Sequence, residues 1–195
     1  MGVAVMGIGN KHLYGKKIIL FLFLFLASTP FAWSREKSKI LPLPPSIRDS
    51  IPWFALREMA PHNPPFTRQH LQLEAEKSNR TILVYFATWC LPCRAGILDL
   101  IRHQKDLEQS KIKVILVNLG EKDEETIEKW KKEMGIPGWK ILLDPFGRTT
   151  EGFGLIQEGT RMDLPKTLIL DKNLKPLLLI GEEGEDYRTL LKDGL

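Results

Sequence analysis

The segment "YFATWCLPCRAG", residues 85–96, contains the only two cysteines of the chain, Cys90 and Cys93. Two thiols with this spacing can form a structural disulfide, supply half of a metal site, or act as a redox pair that is oxidised and reduced in use. The reactive species in the redox case is a thiolate rather than a thiol. The choice depends on which other ligands the chain offers and on the elements that carry the pair.

The structural and metal alternatives both fit this pair poorly. A Cys90–Cys93 bridge closes a very short loop, so its entropic stabilisation is only about 2 kcal/mol. A zinc site needs two further ligands, and no other cysteine exists to supply them. The chain has four histidines, His12, His62, His70 and His103, which are not clustered. We therefore expect a redox pair that uses neither a metal nor an organic cofactor.

The residues around the pair predict a strand that leads into a helix. The apolar run "TILVYFA", residues 81–87, is typical of a strand buried on both faces. Apolar residues then recur at helical spacing, at Ile97, Leu100, Ile101 and Leu107. Cys90 would stand at the helix N-terminus, where unpaired N–H groups and the helix dipole stabilise negative charge and the sulfur can be exposed. Cys93 would lie one turn further in, shielded, and Pro92 is tolerated in a first turn.

The rest of the chain predicts an α/β protein with a central mixed sheet flanked by helices. A helix capped by Thr67 precedes the first strand, and a second buried strand covers 113–119. A helix over 123–134, a short strand at 139–144, a hairpin of two strands over 164–181 and a closing helix over 185–195 follow. Pro176 cannot donate to a strand ladder, which predicts that the second hairpin strand lies at the sheet edge.

The first 34 residues predict a targeting segment. Two lysines precede a short apolar run at 18–27, and the small residues Ala32 and Ser34 suit a signal peptidase. The run is short for a membrane span, which needs about 20 residues. We expect a cleaved signal peptide over 1–34 and a mature chain that begins at Arg35, with an uncleaved membrane anchor as the alternative. The proline-rich stretch 35–66 is expected to be an extended N-terminal segment, followed by the main domain over 67–195.

Composition limits the classes of function. The chain has 195 residues, 43% of them hydrophobic, which is enough for one domain with a core. The net charge is +4, but three lysines lie in the predicted leader, which has no acidic residue. The remainder carries only one net positive charge, so we expect no nucleic-acid partner. We also expect a monomer.

Two segments resemble the TlpA/ResA family of extracytoplasmic thioredoxin-like proteins. "FATWCLPCRA" is similar to the family's W-A-T-W-C-x-P-C-R/K pattern, and "DLPKTLILDKN" to its G-x-P-T-T-F-L-I-D-x-x-G segment. The resemblance runs from about Ile51 to the end of the chain. It implies a thioredoxin fold with an N-terminal extension and a redox-active disulfide between the two catalytic cysteines. The supporting residues that it implies are Trp89, Pro92, Leu164, Pro165 as a cis-proline facing the active site, and Thr167.

The resemblance also implies a function, a thiol–disulfide oxidoreductase exported to the periplasm or another extracytoplasmic space. Cys90 would attack a disulfide of an extracytoplasmic protein, and Cys93 would resolve the mixed disulfide. The electrons would come from a membrane-bound dithiol protein, and cytochrome c maturation is among the roles of the family. The alternatives are a disulfide oxidase or isomerase with the same site, a non-catalytic copper- or thiol-binding module, and a peroxidase, for which the expected threonine-containing loop is missing.

The sequence lacks the acidic residues that would accept the proton of Cys93 in related proteins. The TlpA/ResA family usually has an acidic residue three positions after the second cysteine, where this chain has Gly96. Thioredoxins often place a carboxylate in the strand six residues before the first cysteine, where this chain has Val84. Asp163 and Lys166 replace Gly and Thr around the cis-proline. The proton acceptor for Cys93 is therefore left open, with a substrate group or water as the options.

Overall fold

A computed structural model describes residues 37–59, 64–156, 163–184 and 186–193. The predicted leader, residues 1–34, lies outside these ranges and stays a prediction. Among the residues described, no helix is long and apolar enough to span a membrane.

Within those ranges, eight strands form one sheet in the order β1-β8-β7-β4-β5-β6-β2-β3. The strands are β1 (Lys39–Leu41), β2 (Ala55–Glu58), β3 (Phe66–Thr67), β4 (Arg80–Phe86), β5 (Ile112–Leu119), β6 (Lys140–Asp144), β7 (Lys166–Asp171) and β8 (Pro176–Glu182). The helices of the same ranges are α1 (Arg68–Ala75), α2 (Leu91–Arg102), α3 (Gln104–Gln109), α4 (Glu124–Met134), α5 (Arg148–Gly152) and α6 (Tyr187–Asp193).

The sheet is mixed, and its parallel centre carries the site. Strands β4, β5 and β6 run parallel to one another, whereas β7 is antiparallel to β4 and β8 to β7. Every β4 residue from Thr81 to Phe86 is buried, as expected for a strand with both faces covered. The prediction of a central mixed sheet flanked by helices is confirmed.

The two faces of the sheet bury separate apolar cores. Ile82, Val84 and Phe86 of β4 pack with α2, α4 and α6 on one face. Leu83 and Tyr85 pack with α1 and the segment before it on the other face. Successive residues of a strand point to opposite faces, so a continuous apolar run supplies both cores.

Helix ends follow the local sequence closely. Thr67 caps α1, and the Asp123 side chain accepts the N–H of Glu125 at the start of α4. Gly135 ends α4 with φ 64°, in the left-handed region that glycine tolerates. The apolar spacing through Leu107 predicts one helix after the cysteines, but the helix breaks at His103 and Leu107 belongs to α3.

The proline-rich segment 35–66 contributes strands to the sheet. Both β1 and β2 lie inside this segment and pair with β8 and β6. The prolines of the segment fall outside these two strands, so the ladders keep their N–H donors. Phe54 also enters the core, while its neighbour Trp53 is 76% exposed.

The expectation that β8 is an edge strand is wrong. Residues Lys39 to Leu41 of β1 pair with its outer side, opposite residues 179–182. Pro176 lies beyond the stretch that β1 covers, so its missing N–H does not prevent this pairing. At Pro176 itself no strand pairs with the outer side of β8, as the proline predicts. This holds only for that end of the strand.

Candidate active site

The cysteine pair lies where β4 leads into α2. Cys90 is the N-cap residue of α2, and its Sγ accepts the backbone N–H of Cys93 at 3.2 Å. The two residues are joined by a disulfide, with their Cα atoms 5.3 Å apart. Pro92 occupies the first turn of the helix, where its missing N–H leaves no helical bond unmade. The geometry therefore directs the positive end of a helix at the Cys90 sulfur.

Both cysteines are more enclosed than the sequence suggests. Cys93 is 1% exposed, as predicted, but Cys90 is only 4% exposed, so the prediction of an exposed sulfur is wrong. The flanking side chains of Trp89 and Leu91 project into solvent instead, at 62% and 76% exposure. Cys90 nevertheless lines a cleft of about 650 Å³, whereas Cys93 is not part of that lining. Access to the pair is thus from the Cys90 side.

The cleft beside Cys90 brings together both sequence motifs. Strand β7 pairs with β4, with Lys166 opposite Tyr85, so the loop before β7 lies beside the loop after β4. The Leu164–Pro165 peptide bond in that loop is cis, as the resemblance implies, and Pro165 itself is buried. The lining residues are Lys39, Leu41, Trp89, Cys90, Leu91, Pro92, Asp163, Leu164, Lys166, Gly181 and Glu182. Every predicted site residue except Cys93, Pro165 and Thr167 therefore lines one cleft.

Trp89 separates this cleft from a second, more apolar pocket. The second pocket has a volume of about 260 Å³ and shares Trp89 and Leu164 with the first. Leu119, Pro145 and the exposed Phe146 contribute to its walls. The indole therefore projects between two concave surfaces next to the disulfide.

Glu121 holds the loop that carries Trp89 and Cys90. Its carboxylate accepts the backbone N–H of Thr88 at 2.8 Å and also the Thr88 hydroxyl. The other carboxylate oxygen accepts the side-chain amide of Asn118, at the end of β5. Sequence reasoning missed this residue because nothing local distinguishes it from the other acidic residues of the loop before α4. Its position just after a parallel strand next to β4 is the one available signal.

The lysine that departs from the family pattern lies at the base of the cleft. Lys166 is 9% exposed, and its Nζ donates to the backbone carbonyl of Asp163 at 2.7 Å. Burial lowers the pKa of Lys166, the Asp163 carboxylate opposes that shift, and Lys39 adds to it. A partly desolvated amine therefore follows the cis-proline directly.

On the inner side of α2, a carboxyl group that the sequence analysis did not identify lies next to Gly96. This group belongs to Glu183, which directly follows β8, and its Oε1 atom is buried without a hydrogen-bond partner. Burial raises the pKa of Glu183 to about 7; a hydrogen bond with Tyr187 opposes the shift and the negative charge of Asp99 adds to it. The surrounding sequence "GEEGED" resembles an ordinary solvated loop. The one signal in the sequence is the absence of a carboxylate at position 96, where the TlpA/ResA pattern has one.

Metal coordination has little support among the residues described. In that part of the chain, no three or more His, Cys, Asp or Glu side chains are grouped so that they could hold an ion.

Comparison with known proteins identifies the family. Residues 47–175 match the model of the AhpC/TSA family. The chain belongs to that family. No curated protein matches the chain.

Solved structures similar to this AhpC/TSA chain share its fold. A thioredoxin-family thiol:disulfide interchange protein from Chlorobium tepidum is 22% identical, with 74% of this chain and 95% of the other covered and a TM-score of 0.57. A thiol-disulfide oxidoreductase from Bacteroides fragilis is also 22% identical, with coverages of 75% and 99% and a TM-score of 0.57. A DsbF homologue from Corynebacterium diphtheriae is 19% identical, with coverages of 86% and 97% and a TM-score of 0.59.

These similarities show that the chain has the thioredoxin fold. They are also consistent with the resemblance to the TlpA/ResA family. The family, the fold and the Cys90–Cys93 disulfide agree with the interpretation of the chain as a thioredoxin-like thiol–disulfide oxidoreductase.

Proposed function

We propose that this protein is exported and reduces disulfides of extracytoplasmic proteins through Cys90 and Cys93. The observation that carries the proposal is the position of Cys90, which lines the cleft and whose sulfur accepts a helix N-terminal N–H. An N–H group aimed at a sulfur stabilises its thiolate, the form that attacks disulfides.

Each step of the reaction balances in atoms and electrons. The Cys90 thiolate attacks one sulfur of the partner's disulfide, which forms a mixed disulfide and releases the other partner sulfur as a thiolate. The Cys93 thiolate then attacks Cys90, forms the Cys90–Cys93 disulfide and releases the second partner sulfur. The partner gains two electrons and the protein loses two. A membrane-bound dithiol protein is the proposed donor that restores the reduced pair.

The cleft supports recognition of an extended polypeptide. Leu164, next to the cis-proline, lines the cleft with Cys90, and its backbone would hold a partner segment by strand-like pairing. The exposed indole of Trp89 and the exposed side chain of Leu91 offer apolar contact on either side of the sulfur. Such surfaces lose water on docking and thereby stabilise the encounter with a partner that itself has an apolar segment at its disulfide.

The residues between the cysteines favour the reducing direction. In strong oxidants, charged or donor side chains there stabilise the reduced form. Leu91 and Pro92 provide neither, and Pro92 also lacks an N–H. We expect a reduction potential nearer to the roughly −270 mV of thioredoxin than to the roughly −120 mV of a strong periplasmic oxidant.

A redox titration tests the direction. The purified protein is equilibrated with glutathione buffers, and the oxidised fraction is read from thiol alkylation. A midpoint in the thioredoxin range supports a reductase, whereas a midpoint near that of the strong oxidant would overturn this assignment in favour of a disulfide oxidase. A metal titration of the reduced protein addresses the copper-binding alternative, because stoichiometric copper binding without disulfide reduction would replace the enzyme by a binding module.

Export has its own test. If the leader is cleaved after Ser34, N-terminal sequencing of the exported protein begins at Arg35. An intact leader in the membrane fraction would instead indicate an anchor and would leave the redox chemistry unaffected.

A further inference from the structure

The second step of the reaction needs a proton acceptor close to Cys93. This thiol is 1% exposed, so bulk water has poor access to its proton. The sequence offers no acidic residue three positions further along α2, because Gly96 stands there. Gly96 is followed by the apolar residues of a helix that packs on the sheet.

The space left by Gly96 is filled by the carboxyl group of Glu183. A Cβ atom built on Gly96 would lie 1.7 Å from Glu183 Oε2 and 2.4 Å from its Cδ. A larger side chain at this position would require the Glu183 carboxyl group to move away. Gly96 does not have a positive φ, so backbone conformation does not demand a glycine, and glycine is among the poorest helix formers. The close approach of the carboxyl group accounts for it.

This position is on the side of α2 that bears Cys93. Residues three apart in a helix are surface neighbours whose Cβ atoms are about 5–6 Å apart. A carboxyl group at the Cβ position of residue 96 is therefore a neighbour of the Cys93 side chain, within reach of it directly or through one water molecule.

Residues of α6 and α2 surround the carboxyl group of Glu183. From α6, the Tyr187 hydroxyl interacts with it and also lies 3.2 Å from Thr167 Oγ1, just after the cis-proline. From α2, the charge of Asp99 acts on it. Asp99 is itself paired with His103 at 3.6 Å and with Arg188 at 3.9 Å. Glu183 Oε1 remains buried without a partner, so one acceptor atom is free for a proton.

We propose that Glu183 accepts the proton of Cys93 when the mixed disulfide is resolved. This inference rests on the proposed function. The carboxylate that accepts the proton comes from the residue after β8 instead of from α2 itself. As the proton moves to Glu183, the Cys93 sulfur attacks Cys90 and the partner's sulfur leaves with the electron pair of the broken bond. The proton on Glu183 then passes to solvent or to the departing thiolate. Glu183 lies beyond residues 47–175, where the family match ends.

Burial makes the group suitable for this role near neutral pH. It raises the pKa of Glu183 to about 7, so carboxylate and carboxylic acid are both well populated there, as efficient proton transfer requires.

A reaction with two observable steps tests the role without relying on the physiological partner. Reduced protein is mixed with excess dithiobis(nitrobenzoate) in a stopped-flow instrument. The first thionitrobenzoate released reports attack by Cys90, and the second reports resolution by Cys93. Glu183→Gln should slow the second release at least about tenfold near pH 7 while the first changes less than about twofold. The wild-type second step should level off as pH rises through about 7, whereas the variant's rate should keep rising.

Matched variants separate this role from a structural one. Glu133→Gln removes an exposed carboxylate of α4 and should leave both steps unchanged. Gly96→Glu combined with Glu183→Ala moves the carboxyl group onto α2 and should restore the second step to within about threefold of wild type. Asp99→Asn should have a smaller effect than Glu183→Gln.

Three outcomes would overturn the proposal. They are a second step that is unchanged in Glu183→Gln, equal slowing of both steps in that variant, and a larger loss in Asp99→Asn than in Glu183→Gln. Failure of the wild-type protein to give even the first release would refute the proposed function instead, so the two failures are distinguishable.

Discussion

Cys90 and Cys93 are three residues apart, yet their surroundings differ in almost every respect. Cys90 lines the cleft, with the N–H of Cys93 directed at its sulfur. Cys93 faces the core, where Gly96 leaves room for the carboxyl group of Glu183. The first environment stabilises negative charge, and the second, with a partly buried carboxyl group, disfavours it.

The difference matches the order of the two chemical steps. The attacking sulfur has to be a thiolate before the partner arrives, and a helix N-terminus provides this permanently. The resolving sulfur has to remain a thiol until the mixed disulfide exists, because a second thiolate beside the first would be repelled and would be a competing nucleophile. A neighbouring group that takes its proton only on demand satisfies this requirement.

The largest expected effect comes from removing either sulfur. Cys90→Ser should abolish reduction of a protein disulfide, since the remaining thiol, Cys93, is 1% exposed and does not line the cleft. Cys93→Ser should retain the first step and accumulate partners bound through Cys90. Non-reducing gel electrophoresis after incubation with a disulfide-containing protein distinguishes the two variants. If instead Cys90→Ser accumulates the mixed disulfides, the two roles are exchanged.

Glu183→Gln should stabilise the oxidised protein at alkaline pH. The pKa of Glu183 is raised from 4.5 to about 7, so the folded state holds this proton more tightly than the unfolded chain. Its contribution to stability is fully present below about pH 4.5 and is lost as pH rises through about 7. Glutamine cannot ionise, so the variant should gain about 3 kcal/mol over wild type near pH 9. Urea unfolding measures the difference, which should become small near pH 4; a gain independent of pH would contradict this origin.

Glu121→Gln should destabilise the loop that carries Trp89 and Cys90. The substitution removes the charge that accepts hydrogen bonds from Thr88 and Asn118. Hydrogen bonds to charged groups contribute about 1.5–3 kcal/mol each, and glutamine keeps part of them, so we expect a loss of about 1–2 kcal/mol in the free energy of unfolding. Thermal unfolding tests this, with Glu125→Gln on the exposed face of α4 as the control. Equal losses in the two variants would contradict the assigned role.

Leu91→His should give the smallest effect. A positive side chain in the first turn stabilises the neighbouring thiolate by about 0.3–1 kcal/mol. Since about 1.4 kcal/mol corresponds to 30 mV for this couple, the reduction potential should rise by roughly 5–20 mV. Glutathione equilibration below and above the pKa of histidine should show the shift only at the lower pH. A variant whose potential equals that of the wild type at both pH values would indicate that charge at this position is screened.

The elements around the cysteines were predictable because local rules decide them. The run at 81–87 is apolar at every position, and Gly135 and Asp123 mark helix ends through their own conformational preferences. The two motifs likewise indicated that Leu164 and Pro165 belong with the cysteines. The break at His103 was missed because the apolar spacing continues through Leu107 and carries no signal of a change of axis.

Long-range contacts explain what the sequence did not reveal. The placement of β1 against β8 depends on pairing between residues about 140 positions apart, which no local pattern encodes. Glu183 was missed because its role also depends on a long-range contact. Its neighbour Glu182 has the same side chain, yet that side chain is 72% exposed. Only the approach of the Glu183 carboxyl group to Gly96 of α2 distinguishes the two carboxylates.

The pairing of β1 with β8 also affects the chain while it is being synthesised. Residues 39–41 leave the ribosome early, but their partner strand follows only when almost the whole protein has been made. Until then, β8 or β1 presents a row of unpaired backbone groups, the kind of surface on which other chains add strands. The bonds from Ser38 N to Asp186 at 2.7 Å and from Gly184 N to Ser38 at 2.8 Å then secure the closed edge. A chain that begins a few residues after Arg35, and therefore lacks β1, would keep both cysteines but would leave the outer edge of β8 unpaired. We expect such a chain to self-associate rather than to lose its redox chemistry.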